Sequence, residues 1–205
     1  MTLEEIYKIA DSKEFYTKED LLYTVIKTSS SIKYPKFKDS IEENNTEYKI
    51  TILYPIHNEE TFLDYSLESF FNSYIYPNTS YQVIFLLNAC SDKSLEKTIK
   101  ILNKYKKLEK KEYEKEKYSQ LHDEGLNPRY YYAEDQNSYY ILNTSTKGRV
   151  NALQIATKIA KKNGSGILMS FDTDFILDPL AIYNLSKNAI KKIIKEKATV
   201  AMTGL

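Results

Sequence analysis

From Tyr48 onward, short apolar runs alternate with stretches in which apolar residues recur at helical spacing. A buried parallel strand is typically a short continuous apolar run, whereas an amphipathic helix places its apolar residues three and four apart. By this criterion the chain has five predicted strands, at residues 49–54, 82–87, 129–132, 167–171 and 199–203. The alternation of strands and helices predicts an α/β fold, in which a mostly parallel sheet is flanked by helices.

The starts of three predicted helices can be read from their capping residues. Asn58 is the predicted N-cap of the first helix, and Asp178 followed by Pro179 is a favourable start for the last one. Another helix is predicted to follow Gly148. The helix after the second strand is predicted to continue through the charged run 104–117, because such a run is usually a solvated helix face.

Residues 1–47 are predicted to form a helical N-terminal extension that ends in a linker, and residues 48–205 the main domain. Capping-box patterns at residues 2–5 and 17–20 indicate two short helices. The polar stretch 36–47 then separates them from the first strand. This extension either packs on the main domain or binds a partner.

Composition excludes several classes of protein. Lys and Arg total 29 against 28 for Asp and Glu, so the chain has no global charge of either sign, which argues against binding to duplex DNA, a ligand that requires a basic face. A single cysteine, Cys90, excludes an internal disulfide and suits a reducing compartment. The N-terminus lacks a signal-peptide pattern, and no run approaches the ~18 apolar residues of a membrane span. We therefore expect a soluble, cytoplasmic protein that does not bind nucleic acid.

Three of the predicted strands lead into polar loops, and these strand ends lie at residues 54–55, 87–88 and 172–174. Since the carboxyl ends of parallel strands meet at one edge of a sheet, these residues are expected to lie together. Asp172 and Asp174 would repel each other there unless a cation lay between them, and Mg²⁺ or Mn²⁺ is the usual partner of oxygen ligands. An isolated Asp-x-Asp is also common in turns. Its place among three polar strand ends favours a metal-dependent nucleotide site.

Four segments carry a resemblance to a known family. Residues 55–60 read Pro-Ile-His-Asn-Glu-Glu, residues 88–94 Asn-Ala-Cys-Ser-Asp-Lys-Ser, residues 147–153 Lys-Gly-Arg-Val-Asn-Ala-Leu, and residues 172–174 Asp-Thr-Asp. In order and spacing they resemble the motifs of the inverting family-2 glycosyltransferases, whose fold is the Rossmann-like GT-A type. The resemblance extends from about Tyr48 to the end of the chain.

The resemblance implies a role for each segment. It implies that the first two segments hold the nucleoside, that the basic pair contacts base or phosphates, and that the two aspartates contact ribose and a divalent cation. The implied nucleoside-side residues are Pro55, Asn58, Glu59, Asn88 and Asp92. The implied basic pair is Lys147 and Arg149, with Asp172 on the ribose side and Asp174 as the more direct metal ligand. The implied partner is a nucleoside-diphosphate sugar, and the implied cofactor is Mg²⁺ or Mn²⁺.

This chain departs from the family pattern at the second strand. Leu87 stands where the family usually has an aspartate that reads the base, and Asn88 is the available substitute because its amide both donates and accepts. Cys90 stands where serine is commoner and is expected to be a packing residue. His57 is expected either to make a local hydrogen bond or to be exposed, rather than to act as a base, and His122 is given no role.

The family's general base lies in an acceptor-binding half beyond the fifth strand. The sequence reaches only Leu205, so no catalytic residue is assigned, and the chain is expected to be a donor-binding part, truncated there, with little transfer activity. The acceptor, whether glycan, lipid or protein, is left open. Membrane association is expected only through a region that follows Leu205.

Two other functions are consistent with parts of the sequence. Residues 171–176 loosely fit the Asp-x-Asp opening of haloacid-dehalogenase phosphatases, but that motif should open a domain, and here only 31 residues follow Asp174. The other alternative is a nucleotide-binding or interaction domain without turnover.

Overall fold

The computed structural model describes residues 47–112, 129–134, 137–145, 147–196 and 200–203. Within these ranges the chain forms seven strands and four helices. The strands are β1 (Tyr48–Ile56), β2 (Thr79–Asn88), β3 (Glu109–Glu112), β4 (Arg129–Glu134), β5 (Ser138–Thr144), β6 (Ile167–Ser170) and β7 (Val200–Thr203). The helices are α1 (Leu63–Phe71), α2 (Ser94–Tyr105), α3 (Arg149–Lys162) and α4 (Ala181–Glu196).

All of these strands belong to one sheet, in the order β3-β4-β5-β2-β1-β6-β7. The five neighbouring strands β5, β2, β1, β6 and β7 are parallel to one another. At the other end of the sheet, β4 is antiparallel to β5, and β3 is antiparallel to β4. The chain therefore has a Rossmann-like α/β fold, and the predicted fold class is confirmed.

Helices cover both faces of the sheet. Because side chains alternate between the two faces of a strand, Ile52 and Tyr54 of β1 face one way and Leu53 faces the other. The first face packs against α1, α2 and α4 through residues such as Leu67, Leu102 and Ile190. The second face packs against α3 through Ala152, Ile155, Ala156 and Ile159. Apolar surface on both faces explains why the central strands have such continuous apolar sequences.

The outer part of the sheet differs from the prediction. The charged run was predicted to continue a helix, but α2 ends at Tyr105, and residues 109–112 form β3. That prediction was wrong because β3 pairs with β4, a long-range contact that overrides local helix preference. β5 was not predicted, because its mixture of aromatic, apolar and polar residues is not a continuous apolar run.

β1 continues past the proline that was expected to stop it. Pro55 pairs with Leu86 on β2, although a proline has no N–H to donate. On the other side of β1, the last paired residues are Leu53 and Ser170, and the Leu53 carbonyl accepts the Phe171 N–H. The backbone nitrogen of Pro55 faces the β6 side of β1. Pairing with β6 has already ended there, so no hydrogen bond is lost.

Two of the predicted helix caps, Asn58 and Asp178, can be compared with the observed starts of α1 and α4. α1 begins at Leu63 after a turn, and no side chain caps it, so the prediction that Asn58 is its N-cap was wrong. Before α4, the Asp178 carboxylate accepts the Leu180 N–H at 2.8 Å, and the helix itself begins at Ala181.

The predicted N-terminal extension falls almost wholly on residues 1–46, which lie outside the described residues. Among the helices that the structure describes, none combines the length and the apolar character needed to cross a membrane.

Candidate nucleotide site at the carboxyl edge of the sheet

Four loops leave the sheet at the carboxyl ends of neighbouring parallel strands. β5, β2, β1 and β6 lie side by side in that order. Their last residues are Thr144, Asn88, Ile56 and Ser170. Each predicted site segment begins within three residues of one of these ends, so the parallel topology brings all four segments to the same edge. In open α/β sheets this edge is where ligands bind.

An ion pair links the third segment to the fourth. A guanidinium nitrogen of Arg149 lies 3.1 Å from Asp172 Oδ2, and both side chains are partly exposed, at 53% and 31%. These residues are 23 positions apart, and they meet because Arg149 begins α3 while Asp172 directly follows β6 and Phe171. One member of the predicted basic pair therefore contacts one member of the predicted aspartate pair.

The start of α3 is shaped by Gly148. This glycine has φ +115°, a conformation that side-chain-bearing residues rarely adopt, and no side chain caps the helix. A helix start presents unpaired backbone N–H groups and a partial positive charge. Arg149 adds a full positive charge at that point, and no acidic residue lies in the first turn. Since a cation is unfavourable at a helix N-terminus, Asp172 offsets a charge that the helix alone would not favour.

Reciprocal hydrogen bonds brace the loop after β1 against the loop after β2. Asp92 accepts the Glu60 N–H at 3.1 Å, and Glu60 accepts the Lys93 N–H at 2.9 Å. Asn58, which has φ +56°, accepts the Ser91 N–H through Oδ1 at 2.8 Å. The side-chain oxygens of Asn58 and Asp92, which the resemblance implied to be nucleoside ligands, thus hold the two loops together.

Asp92 also connects the brace to α2. Its other carboxylate oxygen accepts the Ser94 N–H at 3.0 Å, and the Ser94 hydroxyl accepts the Glu59 N–H at 2.9 Å. Partial burial opposes ionisation of Asp92. Hydrogen bonds from the side chain and backbone of Ser94 and from the Glu60 backbone outweigh that effect and lower the pKa of Asp92 below its usual value.

Asn88 lies at the centre of the edge and is 5% exposed. Its side-chain carbonyl oxygen Oδ1 is buried without a hydrogen-bond partner. Its backbone carbonyl accepts a hydrogen bond from His57 Nδ1 at 2.7 Å, which ties the end of β1 to the end of β2. A buried unpaired carbonyl is costly, and an N–H group of a ligand is one way to satisfy it.

Cys90 makes a local contact at the same edge. Its half-buried thiol donates to the Ile56 carbonyl oxygen at 3.3 Å, and burial raises the pKa of the thiol. A protonated thiol in this environment packs and hydrogen-bonds, and it is a poor nucleophile.

The remaining predicted site residues are accessible. Lys147 and Asp174 are exposed, while Pro55 and Glu59 are half-buried at the edge. Within the described ranges, no group of three or more His, Cys, Asp and Glu side chains is arranged to bind a metal ion. Mg²⁺ commonly takes only one or two carboxylates and completes its shell with phosphate and water oxygens, so this result does not test a site formed by Asp172 and Asp174.

A cleft of about 530 Å³ lies beside the braced loops. Its lining includes Glu60 and Lys93 from the two loops, and Asp64, Lys97 and Lys100 from α1 and α2. Lys97 is already paired with Asp64 at 2.7 Å. The cleft thus borders the first two segments, but neither the Arg149–Asp172 ion pair nor Asp174 lines it.

Sequence reasoning missed the loop brace and its residues Glu60, Ser91 and Ser94. Their partners lie more than 30 positions away, and no local pattern marks them. His57 is exposed, which is one of the two alternatives expected for it, and its hydrogen bond reaches Asn88, 31 positions away. Comparison of the chain with protein-family models, curated proteins and solved structures gives no match.

Proposed function

We propose that the chain binds a nucleoside-diphosphate sugar at the carboxyl edge of its sheet, as the donor-binding part of an inverting glycosyltransferase. The observation that carries this proposal is the Arg149–Asp172 ion pair, which joins the basic and acidic motifs at one edge. The order of the four motifs along the chain supports the reaction class. Fold alone would not, since Rossmann-like sheets serve many reactions.

Charge and exposure suggest how the diphosphate would be held. Lys147 and Arg149 supply two cations beside the uncapped start of α3, an arrangement suited to phosphate oxygens. Asp174 and Asp172 would hold the divalent cation on the opposite side of the diphosphate. When bound, that cation would neutralise charge developing on the departing nucleoside diphosphate.

The nucleoside would lie against the ends of β1 and β2. The unpaired Oδ1 of Asn88 is suited to accept an N–H from a base. Asn88 would thus substitute for the aspartate that the family usually has at the position of Leu87. Pro55 and Glu59 border the same position. Asn58 and Asp92 would contribute mainly by fixing the loops, because their oxygens already accept backbone N–H groups.

Binding can be tested by thermal denaturation with Mn²⁺ and either uridine or guanosine diphosphate. We expect one of the two nucleotides to raise Tm in the presence of Mn²⁺, and Asp174→Asn to abolish most of that rise. Asp178→Asn is the matched control, since the substitution is the same, lies four residues away and preserves a capping side chain. If neither nucleotide raises Tm with Mn²⁺, the donor-binding proposal is wrong and a domain without nucleotide turnover becomes the better account.

A further inference from the structure

Arg149 and a divalent cation require the same carboxylate. Asp172 Oδ2 lies 3.1 Å from the guanidinium, so a cation can bind Asp172 at full strength only if Arg149 moves away. The Arg149 side chain is 53% exposed, and it therefore has room to move. We infer that Arg149 is an internal counter-ion of Asp172: it weakens metal binding in the absence of nucleotide and transfers to the diphosphate when nucleotide binds. This inference rests on the proposed donor-binding function.

The position of Arg149 favours such a transfer. As the first residue of α3, it lies where backbone N–H groups already favour an anion and disfavour a cation. A diphosphate at this point would offer the guanidinium several oxygens in place of one carboxylate oxygen. Asp172 would then be released toward the metal at the moment when phosphate oxygens complete the metal's shell.

The arrangement makes binding of the two ligands cooperative. Whichever ligand binds first must separate Arg149 from Asp172, and the second then binds without that cost. The direct attraction between Mn²⁺ and diphosphate adds to this effect but does not depend on Arg149. The contribution of Arg149 is therefore seen most clearly with Mn²⁺ alone, before any nucleotide is added.

The first measurement is the affinity for Mn²⁺ in the absence of nucleotide. The electron paramagnetic resonance signal of the unbound Mn²⁺ ion reports how much metal is bound. Arg149→Met is expected to tighten Mn²⁺ binding about 5-fold, the lower end of typical couplings between sites. It is also expected to weaken the binding of nucleoside diphosphate measured without metal. These opposite changes are not expected from a residue with a purely structural role.

Lys147→Met is the matched control for charge. It removes one positive charge from the same loop, but Lys147 is exposed and forms no ion pair with Asp172. A general electrostatic effect would tighten Mn²⁺ binding equally in both variants, and that result would overturn the inference. A larger effect of Arg149→Met would support it.

Asp172→Asn provides a second, independent comparison. In an Asp172→Asn background, adding Arg149→Met should leave the Mn²⁺ affinity unchanged, because the carboxylate for which they compete is absent. If the 5-fold effect persists there, the inference is wrong. Circular dichroism and Tm confirm folding of each variant, and Met at position 149 is compatible with a helix.

The proposed function and this inference fail in distinguishable ways. If the wild-type chain binds neither uridine nor guanosine diphosphate with Mn²⁺, the donor site itself is wrong. If the wild-type chain binds both ligands but Arg149→Met and Lys147→Met change the Mn²⁺ affinity equally, the donor site stands and the role of Arg149 as counter-ion is rejected.

Discussion

Asp92 shows how one side chain at this edge serves structure as much as chemistry. Its two carboxylate oxygens accept N–H groups from different loops, those of Glu60 and Ser94. The ionised form accepts these hydrogen bonds better than the protonated form, which is why the pKa of Asp92 is lowered despite partial burial. The folded chain therefore depends on this group being charged.

We predict that Asp92→Asn lowers the free energy of unfolding by about 1 kcal/mol at pH 7, a small value because the site is partly exposed to solvent. Since the folded pKa is below the unfolded value, the ionised carboxylate stabilises the fold above the unfolded pKa. That contribution is lost as the pH falls through the folded pKa. Urea denaturation should therefore show the gap between wild type and variant closing below about pH 4.

Asp174→Asn is the control for that experiment. It makes the same change of charge on an exposed aspartate at the same edge, for which no hydrogen bond or ion pair is found among the described residues. Its unfolding free energy should follow that of the wild type both at pH 7 and below about pH 4. A gap between Asp92→Asn and wild type that stays constant down to pH 3 would contradict a role for the charge.

At the scale of elements, the start of α3 determines where Arg149 points. Gly148 has φ +115° and ψ 137°, a combination close to the region that only glycine occupies readily. A Cβ at this position would meet no atom within 4 Å, so any cost of adding one comes from backbone strain and not from a steric clash.

Gly148→Ala is predicted to lower the free energy of unfolding by about 1–3 kcal/mol, the usual cost of such a strained conformation. It should also weaken nucleotide binding, because a relaxed backbone would displace Arg149. Gly166→Ala is the control: its Cβ also meets nothing within 4 Å, and its φ lies outside the strained range. Equal Tm values for both alanine variants in thermal denaturation would argue against this reading.

At the scale of the whole molecule, the described helices are unevenly divided between the faces of the sheet. α1, α2 and α4 share one face, whereas α3 packs on the other. The helix that begins at the candidate site is thus also the one that buries Leu53, Ile84 and Leu86 of the central strands. The stability of the fold and the geometry of the site depend on the same element.

Ile155→Ala should therefore lower the free energy of unfolding by about 2–5 kcal/mol, because Ile155 is fully buried between α3 and the sheet and its truncation leaves a cavity. Val150→Ala is the matched control on the same helix, where the valine is 70% exposed, and we expect little change. Chemical denaturation at a single pH measures both. A small loss for Ile155→Ala would mean that α3 contributes little to the core.

How much of this structure could be predicted depends on how local each signal is. The central strands were found from their apolar runs, since burial on both faces leaves no polar alternation. β3 was not found, because its charged residues form a strand only by pairing with the distant β4, and β5 was not found, because its sequence is not a continuous apolar run. For the site, the sequence indicated which segments carry polar residues, but it did not indicate which atoms are already occupied.

By itself, then, the sequence determined the alternation of strands and helices, the mostly parallel sheet and the edge at which its polar loops gather. These follow from periodicity and from the uniform direction of parallel strands. Only the tertiary structure decided that Arg149 meets Asp172, that Asn58 and Asp92 brace two loops, and that Asn88 keeps a buried unpaired oxygen. Such contacts depend on distances between residues far apart in the chain, which local patterns do not encode.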